Sequence, residues 1–215
     1  MIGRLFVAFS VAGCLLGAAP AMAEVELSYG FAATTNYVDA YETFDGPPAL
    51  QGYVEGGYGP FYVGLWASTL DPDDTNEIEF DLSVGALRTI GEVEFNLSYT
   101  RFIYDDSGDC CGEFGLAAEF AVSESLILVT NVEYDPQEED SLWTEVDAAF
   151  AIDDQWAVSG ALGADTGDFE PELGREVEWD LGVTRSVGES GWIDVRFYDS
   201  NQEHWTWALS AGMDF

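Results

Sequence analysis

The chain has 215 residues, of which 41 are Asp or Glu, six are Arg and none is Lys, for a formal net charge of −35. A field of that sign repels nucleic acid and anionic headgroups and attracts cations, which argues against a nucleic-acid-binding role. Adaptation of a whole proteome to salty water produces the same bias, so charge alone names no partner.

In chain order the first element is a leader. Residues 1–23 carry Arg4, an apolar run from Leu5 to Gly17, and small residues at Ala21 and Ala23. That is the pattern of a secretory signal cleaved before Glu24. Val11-Ala12-Gly13-Cys14 has the form of a lipoprotein processing box, but the chain stays apolar from Cys14 to Met22, which favours simple cleavage. Residues 24–215 then make one domain. After the leader there is no run of about 18 apolar residues, so no transmembrane helix is predicted.

From residue 24 onward the pattern is period-two alternation, with almost no helical periodicity. Twelve strands are predicted, at 24–33, 49–58, 61–69, 77–87, 92–102, 113–121, 125–134, 142–152, 156–164, 176–185, 192–198 and 204–215. In the clearest, Ile78, Phe80, Leu82, Val84 and Ala86 face one way while Glu77, Glu79, Asp81, Ser83 and Gly85 face the other. The last shows the same form: Trp205, Trp207, Leu209, Ala211, Met213 and Phe215 oppose Thr206, Ala208, Ser210, Gly212 and Asp214.

The connections alternate as well. Those after odd strands are longer and polar (TTNYVDAYETFDGPP, DPDDTN, the stretch around DDSGDCCG, DPQEED, DTGDFEPELGR), and those after even strands are short (GP, TIG, VSE, DDQ, VGESG). A Greek-key sandwich has no reason to produce that order. An up-and-down barrel with long loops at one end and tight turns at the other does.

Charge placement agrees. The faces opposite the apolar ones carry Glu26, Glu55, Glu79, Asp81, Glu94, Glu113, Glu119, Glu133, Glu145, Asp147, Glu178, Asp180 and Asp194, with Arg196 as their one inward cation. No apolar face has an acid in its middle, as a bilayer would demand. Aromatics gather near strand ends: Tyr58, Phe61, Trp156, Trp192 and Phe215 beside the short turns, and Tyr29, Phe102, Tyr134, Trp143 and Trp205 toward the long connections. Two interfacial girdles would look like this. The fold class is therefore all-β: an antiparallel up-and-down transmembrane β-barrel of about 12 strands.

The sequence resembles the TorF-family porins. The likeness is carried by TTNYV (34–38), PALQG (48–52), FYVGLWAST (61–69), Asp71 and the acidic strand EIEFDLSVGA, and it covers most of residues 27–135. The resemblance implies an outer-membrane barrel without a defined solute. The family has an arginine soon after the Tyr-Val pair, where this chain has Asp39-Ala40-Tyr41. Its loss implies a more acidic lumen. Alternating apolar residues ending on Phe215 likewise resemble the signal read by the barrel-assembly machinery.

Catalytic and metal patterns are weak. His204 is the single histidine. It is expected to face inward near the outer rim on the same side as Ser210, but six residues along a strand is about 20 Å, too far for a nucleophile–base pair. Asp199, Ser200 and Asn201 lie nearer and read as a polar loop. DPDDTNEIE (71–79) offers oxygen ligands but lacks the EF-hand glycine, and reads as a solvated acidic loop. GYVEGGYG (52–59) precedes a hairpin and not a helix, so it holds no phosphate cradle. Cys110 and Cys111 are expected in a loop, as a vicinal disulfide or a free pair, and two sulfurs without a second pair make no zinc site.

No enzyme, cofactor or metal centre is expected. The predicted function is passive diffusion of small solutes, cation-favouring, through a pore lined by Glu55, Glu79, Asp81, Glu94, Glu119, Glu145, Asp147, Glu178, Asp180, Asp194 and Arg196. Phe215 is the assembly signal, and the partners are outer-membrane lipid, small solutes or cations, and the assembly machinery. Two alternatives stay open: a non-conducting acidic barrel with a structural or calcium-binding surface role, and a soluble periplasmic β-sandwich.

Overall fold

The computed structural model describes residues 25–38, 46–137, 141–166, 176–202 and 204–215, so the leader and Asp39-Ala40-Tyr41 lie outside the described residues. Among the described residues every regular element is a strand: β1 (Val25–Thr34), β2 (Ala49–Tyr58), β3 (Phe61–Thr69), β4 (Ile78–Ile90), β5 (Val93–Tyr104), β6 (Gly108–Ala121), β7 (Leu126–Asp135), β8 (Ser141–Ala151), β9 (Trp156–Asp165), β10 (Val177–Val187), β11 (Gly191–Ser200) and β12 (Thr206–Asp214). Each pairs antiparallel with its neighbour in the chain, and β1 pairs with β12 to close the barrel.

Alternation explains which face goes where. Leu27, Phe31, Leu97, Phe114, Leu162, Leu181 and Leu209 point outward, each about half exposed or more. The buried polar set (Ser68, Glu79, Asp81, Glu113, Glu178, Asp180, Asp194) points inward. A contiguous apolar exterior of this extent has no place in water, whereas a closed sheet satisfies its backbone groups internally and can sit in hydrocarbon. This rules out the soluble sandwich: there is one closed sheet, with acids inside and apolar residues outside.

The short turns are built locally. Gly59 has φ 61° in the two-residue turn between the paired Tyr58 and Phe61, a left-handed conformation that glycine adopts without strain. At the 152–155 turn, Asp153 Oδ1 accepts the backbone N–H groups of Gln155 (2.8 Å) and Trp156 (2.9 Å).

Closure uses the end of the chain. The Tyr29 N–H donates to the Phe215 carbonyl at 3.1 Å, and the Phe215 N–H to the Tyr29 carbonyl at 2.9 Å. The two rings stack at 5.3 Å.

Three expectations are corrected. First, β5 and β6 run farther than their patterns indicate, leaving a connection of only Asp105–Ser107. Cys110 and Cys111 therefore lie within β6 and not in a loop, and they are disulfide-bonded to each other. The register shifts between Phe102 and Ile103: Asp109 faces out, Cys110 is the extra residue, and Cys111 faces in. A bulge of this kind breaks the period of two, which hid the strand. Second, Phe102 (2% exposed) and Trp143 (3%) point into the lumen and not into a girdle. Trp192 shares the inward phase of Asp194, and its ring covers Gly212. Third, β12 begins at Thr206, so His204 is exposed in the preceding connection instead of facing inward from a strand.

Candidate functional site

The inward face of the barrel encloses a cavity of about 530 Å³. Glu55, Asp81, Glu94, Glu119, Glu145, Asp147, Asp180 and Arg196 from the predicted lining surround it, together with Glu113 and Glu133. Glu79, Glu178 and Asp194 also face inward, but they are packed into the wall away from that cavity. Glu26 is exposed at the short-turn end of β1.

Arg196 is held by several groups at once. Its guanidinium pairs with Asp180, reaches Asp194 at 3.3 Å, and donates to Ser159 Oγ at 2.7 Å. The Thr184 hydroxyl donates to the other Asp194 oxygen at 2.6 Å. β9, β10 and β11 bring these residues together because the register sets Asp180 against Ala161 and Tyr198, and Asp194 against Thr184. One guanidinium thus bridges two carboxylates within the wall, and the trio keeps one negative charge in excess. The remaining described arginines, Arg88, Arg101 and Arg185, lie on the outward phase near strand ends. Arg101 makes a two-pronged pair with Asp109 (2.5 and 2.6 Å), and Arg185 lies 5.3 Å from the Trp156 ring.

Other acids have neutral partners. Asn131 Nδ2 donates to Asp147 Oδ2 at 2.8 Å, and the Trp143 indole to Glu145 Oε2 at 3.4 Å. Tyr37 and Tyr104 both donate to Glu79, at 2.7 and 2.9 Å. Toward the short turns Glu94 and Glu119 stand directly opposite each other on β5 and β6. Like charges so placed repel, and a cation between or near them relieves that repulsion.

The aromatic part of the interior was not read from the sequence. Tyr37, Trp66, Phe102, Tyr104, Trp143 and Tyr198 are all buried on the inside. For Phe102 a signal existed: it shares its alternation phase with Asn96, Ser98 and Thr100.

The acidic 71–79 loop uses its oxygens on backbone. Asp71 Oδ1 accepts Asp73 N–H (2.8 Å), Asp74 Oδ1 accepts Thr75 N–H (2.6 Å), and Asn76 Oδ1 accepts Ser107 N–H (3.0 Å). Among the described residues no group of three or more His, Cys, Asp or Glu is arranged to hold a metal ion. Ser210 Oγ is engaged with Thr34 Oγ1 at 2.9 Å, and His204 stands apart from it in the loop.

A closed antiparallel barrel, apolar outside and carboxylate-lined inside, is the architecture of an outer-membrane β-barrel of the porin type. The chain belongs to the Gcw_chp family, described as bacterial proteins of unknown function, which it matches over residues 18–215. No curated protein matches it in sequence. Among solved structures it is similar to a KdgM porin (TM-score 0.66, 6% identity, 87% of this chain and 98% of that one). It is also similar to a NanC porin (TM-score 0.58, 9% identity, 88% and 99%). A further KdgM porin structure, in complex with disordered oligogalacturonate, has TM-score 0.62 at 5% identity over 88% of this chain and 97% of that one. At these identities the likeness is one of fold.

Proposed function

We propose that this protein is an outer-membrane channel for passive diffusion of small solutes, favouring cations and performing no catalysis. The observation that carries the reading is the charge of the inner wall: its acids outnumber Arg196, which is itself engaged with Asp180 and Asp194. Rings of Asp and Glu favour cation passage and repel anions. The leader is removed before Glu24, Phe215 serves the assembly machinery, and the chain is of the TorF type. The stretches TTNYV, PALQG and FYVGLWAST support that last assignment, and all lie within the region matched to Gcw_chp.

The solute of a fold relative does not transfer with the fold. Oligogalacturonate is a polycarboxylate, and the wall described above would repel it. Planar-bilayer recording across a salt gradient tests the reading, with a reversal potential of cation-selective sign expected. Anion preference at moderate salt, or no conductance from folded barrels, would sink it.

A second reading, a barrel that does not conduct, is favoured by one observation. Tyr37, Trp66, Phe102 and Tyr104 fill the lumen toward the long connections. The same recording separates the two.

A further inference from the structure

We propose that Thr35–Val38, with the return limb 46–48, is a strap folded across the outer mouth of the lumen, and that Tyr37 on it sets the size of solute admitted. The inference rests on the channel reading above and adds the element that restricts the channel.

A loop that only joined β1 to β2 would make its contacts at the rim of those two strands. This one makes them across the barrel. Beyond Thr34, the Thr35 N–H donates to the Leu209 carbonyl at 3.0 Å and the Asn36 side chain donates to Thr206 Oγ1 at 2.8 Å, tying the segment to β12. The Thr34 hydroxyl donates to the Asn36 carbonyl at 3.0 Å and closes a tight turn. Next, Tyr37, only 7% exposed, packs with Ala49 and Trp66, and its phenol donates to Glu79 on β4 at 2.7 Å. Val38 packs instead against Tyr198 on β11 and Ala208 on β12. In the closed sheet β1, β2 and β3 separate β12 from β4, roughly 19 Å of wall at the usual strand spacing. Two adjacent residues thus touch both ends of that arc.

The return limb locks the position. The Tyr37 N–H donates to the Pro47 carbonyl at 2.9 Å. A Cβ on Gly46 would lie 2.1 Å from the Tyr37 carbonyl oxygen, so the two limbs approach this closely only because residue 46 lacks one. Tyr104 donates to the second Glu79 oxygen at 2.9 Å, so the carboxylate receiving Tyr37 is itself fixed. TTNYV supplies the first limb, and PALQG begins at the end of the second.

The experiment compares full-length wild type, Tyr37→Ala, Gly46→Ala, Tyr37→Phe and, as control, Asp73→Ala at an exposed position of the 70–77 connection. Each is first shown by heat-modifiability to be a folded barrel. Tyr37→Ala should raise single-channel conductance by about twofold or more and admit larger sugars in liposome swelling, since pore radius sets both. Gly46→Ala keeps every latch group and should shift both readouts the same way, covering the case in which Tyr37→Ala does not assemble. Tyr37→Phe keeps the ring and loses the bond to Glu79, so it should add brief openings with little change in the mean level. Asp73→Ala should match wild type. If wild type conducts and Tyr37→Ala and Gly46→Ala conduct identically, the strap is overturned and the channel reading stands. If none of the folded proteins conducts, the channel reading falls and the strap falls with it. Conductance gained only in the variants identifies the strap as the closing element.

Discussion

Toward the long connections the barrel holds Trp66, Phe102, Tyr104 and Trp143, each at most 9% exposed, with Glu79, Asp81 and Glu178 buried among them. Toward the short turns it holds Glu55, Glu94, Asn96 and Glu119, none of them buried and all bordering the cavity. The strands are the same and so is the alternation, and rings face inward in both (Tyr62 and Trp192 in the second); what differs is how tightly the inward side chains pack, since neither of those two is buried. Aromatic rings narrow the first region and pack it as the core of a soluble protein is packed, where a carboxylate must be matched by donors such as Tyr37 and Tyr104. In the second region the inward side chains, Tyr62 among them, are packed less tightly, so that solvent and ions can reach the carboxylates that border the cavity. One acidic face therefore has two roles: structural near the outer mouth, electrostatic near the turns.

The largest effect should come from emptying the packed region. Phe102→Ala removes a fully buried ring that packs with Tyr104, Cys111 and Leu70. Phe→Ala in a core costs about 3–5 kcal/mol, so denaturant unfolding in detergent should show a loss of that order. A loss below about 1 kcal/mol would mean that this half is not a core and that the contrast fails.

Arg196 sits between the two regions and should give the next largest change. Arg196→Met leaves Asp180 and Asp194 without their cation, and breaking a buried pair in this way costs about 3–5 kcal/mol. The low end is expected here because Asp194 keeps the Thr184 hydroxyl. Reversal potentials should move further toward cations, since the wall loses its inward positive charge. A stable variant with unchanged selectivity would detach Arg196 from the lumen's electrostatics.

Deleting Phe215 tests closure instead of filling. The deletion removes two backbone bonds to Tyr29 and the stacked ring. At about 1 kcal/mol for each bond and about the same for the ring pair, the folded barrel loses roughly 2–3 kcal/mol. Recovery of heat-modifiable protein from outer membranes should drop by more than that stability loss accounts for if Phe215 is also the assembly signal. Equal loss in detergent refolding and in cells would remove the signalling role.

What could be read in advance divides along the same line. Glu77–Leu87 and Trp205–Phe215 were legible because an unbroken period of two needs only one face in lipid. Residues 108–112 were not, because the bulge at Cys110 moves the inward phase from even to odd positions. Phe102, Trp143 and Trp192 were misplaced for another reason. An aromatic near a strand end suits either a girdle or the lumen, and only its phase decides. The path of Tyr37 was beyond local reading altogether, since it is set by Glu79 and Trp66, far off in the chain. Of the site, the inward acids were visible as a set, but the division between cavity-lining Asp81 and wall-packed Glu79 depends on which rings surround each.

The smallest effect in stability, and the most direct test of the open region, is Glu94→Gln with Glu119→Gln. The two carboxylates face each other across β5 and β6, so neutralising them removes a repulsion and breaks no packing. Stability should stay within about 0.5 kcal/mol of wild type, as for surface changes that touch no core feature, or rise slightly. Conductance is where the change should appear. At ionic strength near 0.01 M, where screening extends to about 30 Å, the double variant should carry less cation current than wild type. At 1 M, where screening shortens to about 3 Å, the two should converge. A difference that persists unchanged at high salt would mean the pair acts through shape and not charge, and the electrostatic half of the barrel would then be no different in kind from the packed one.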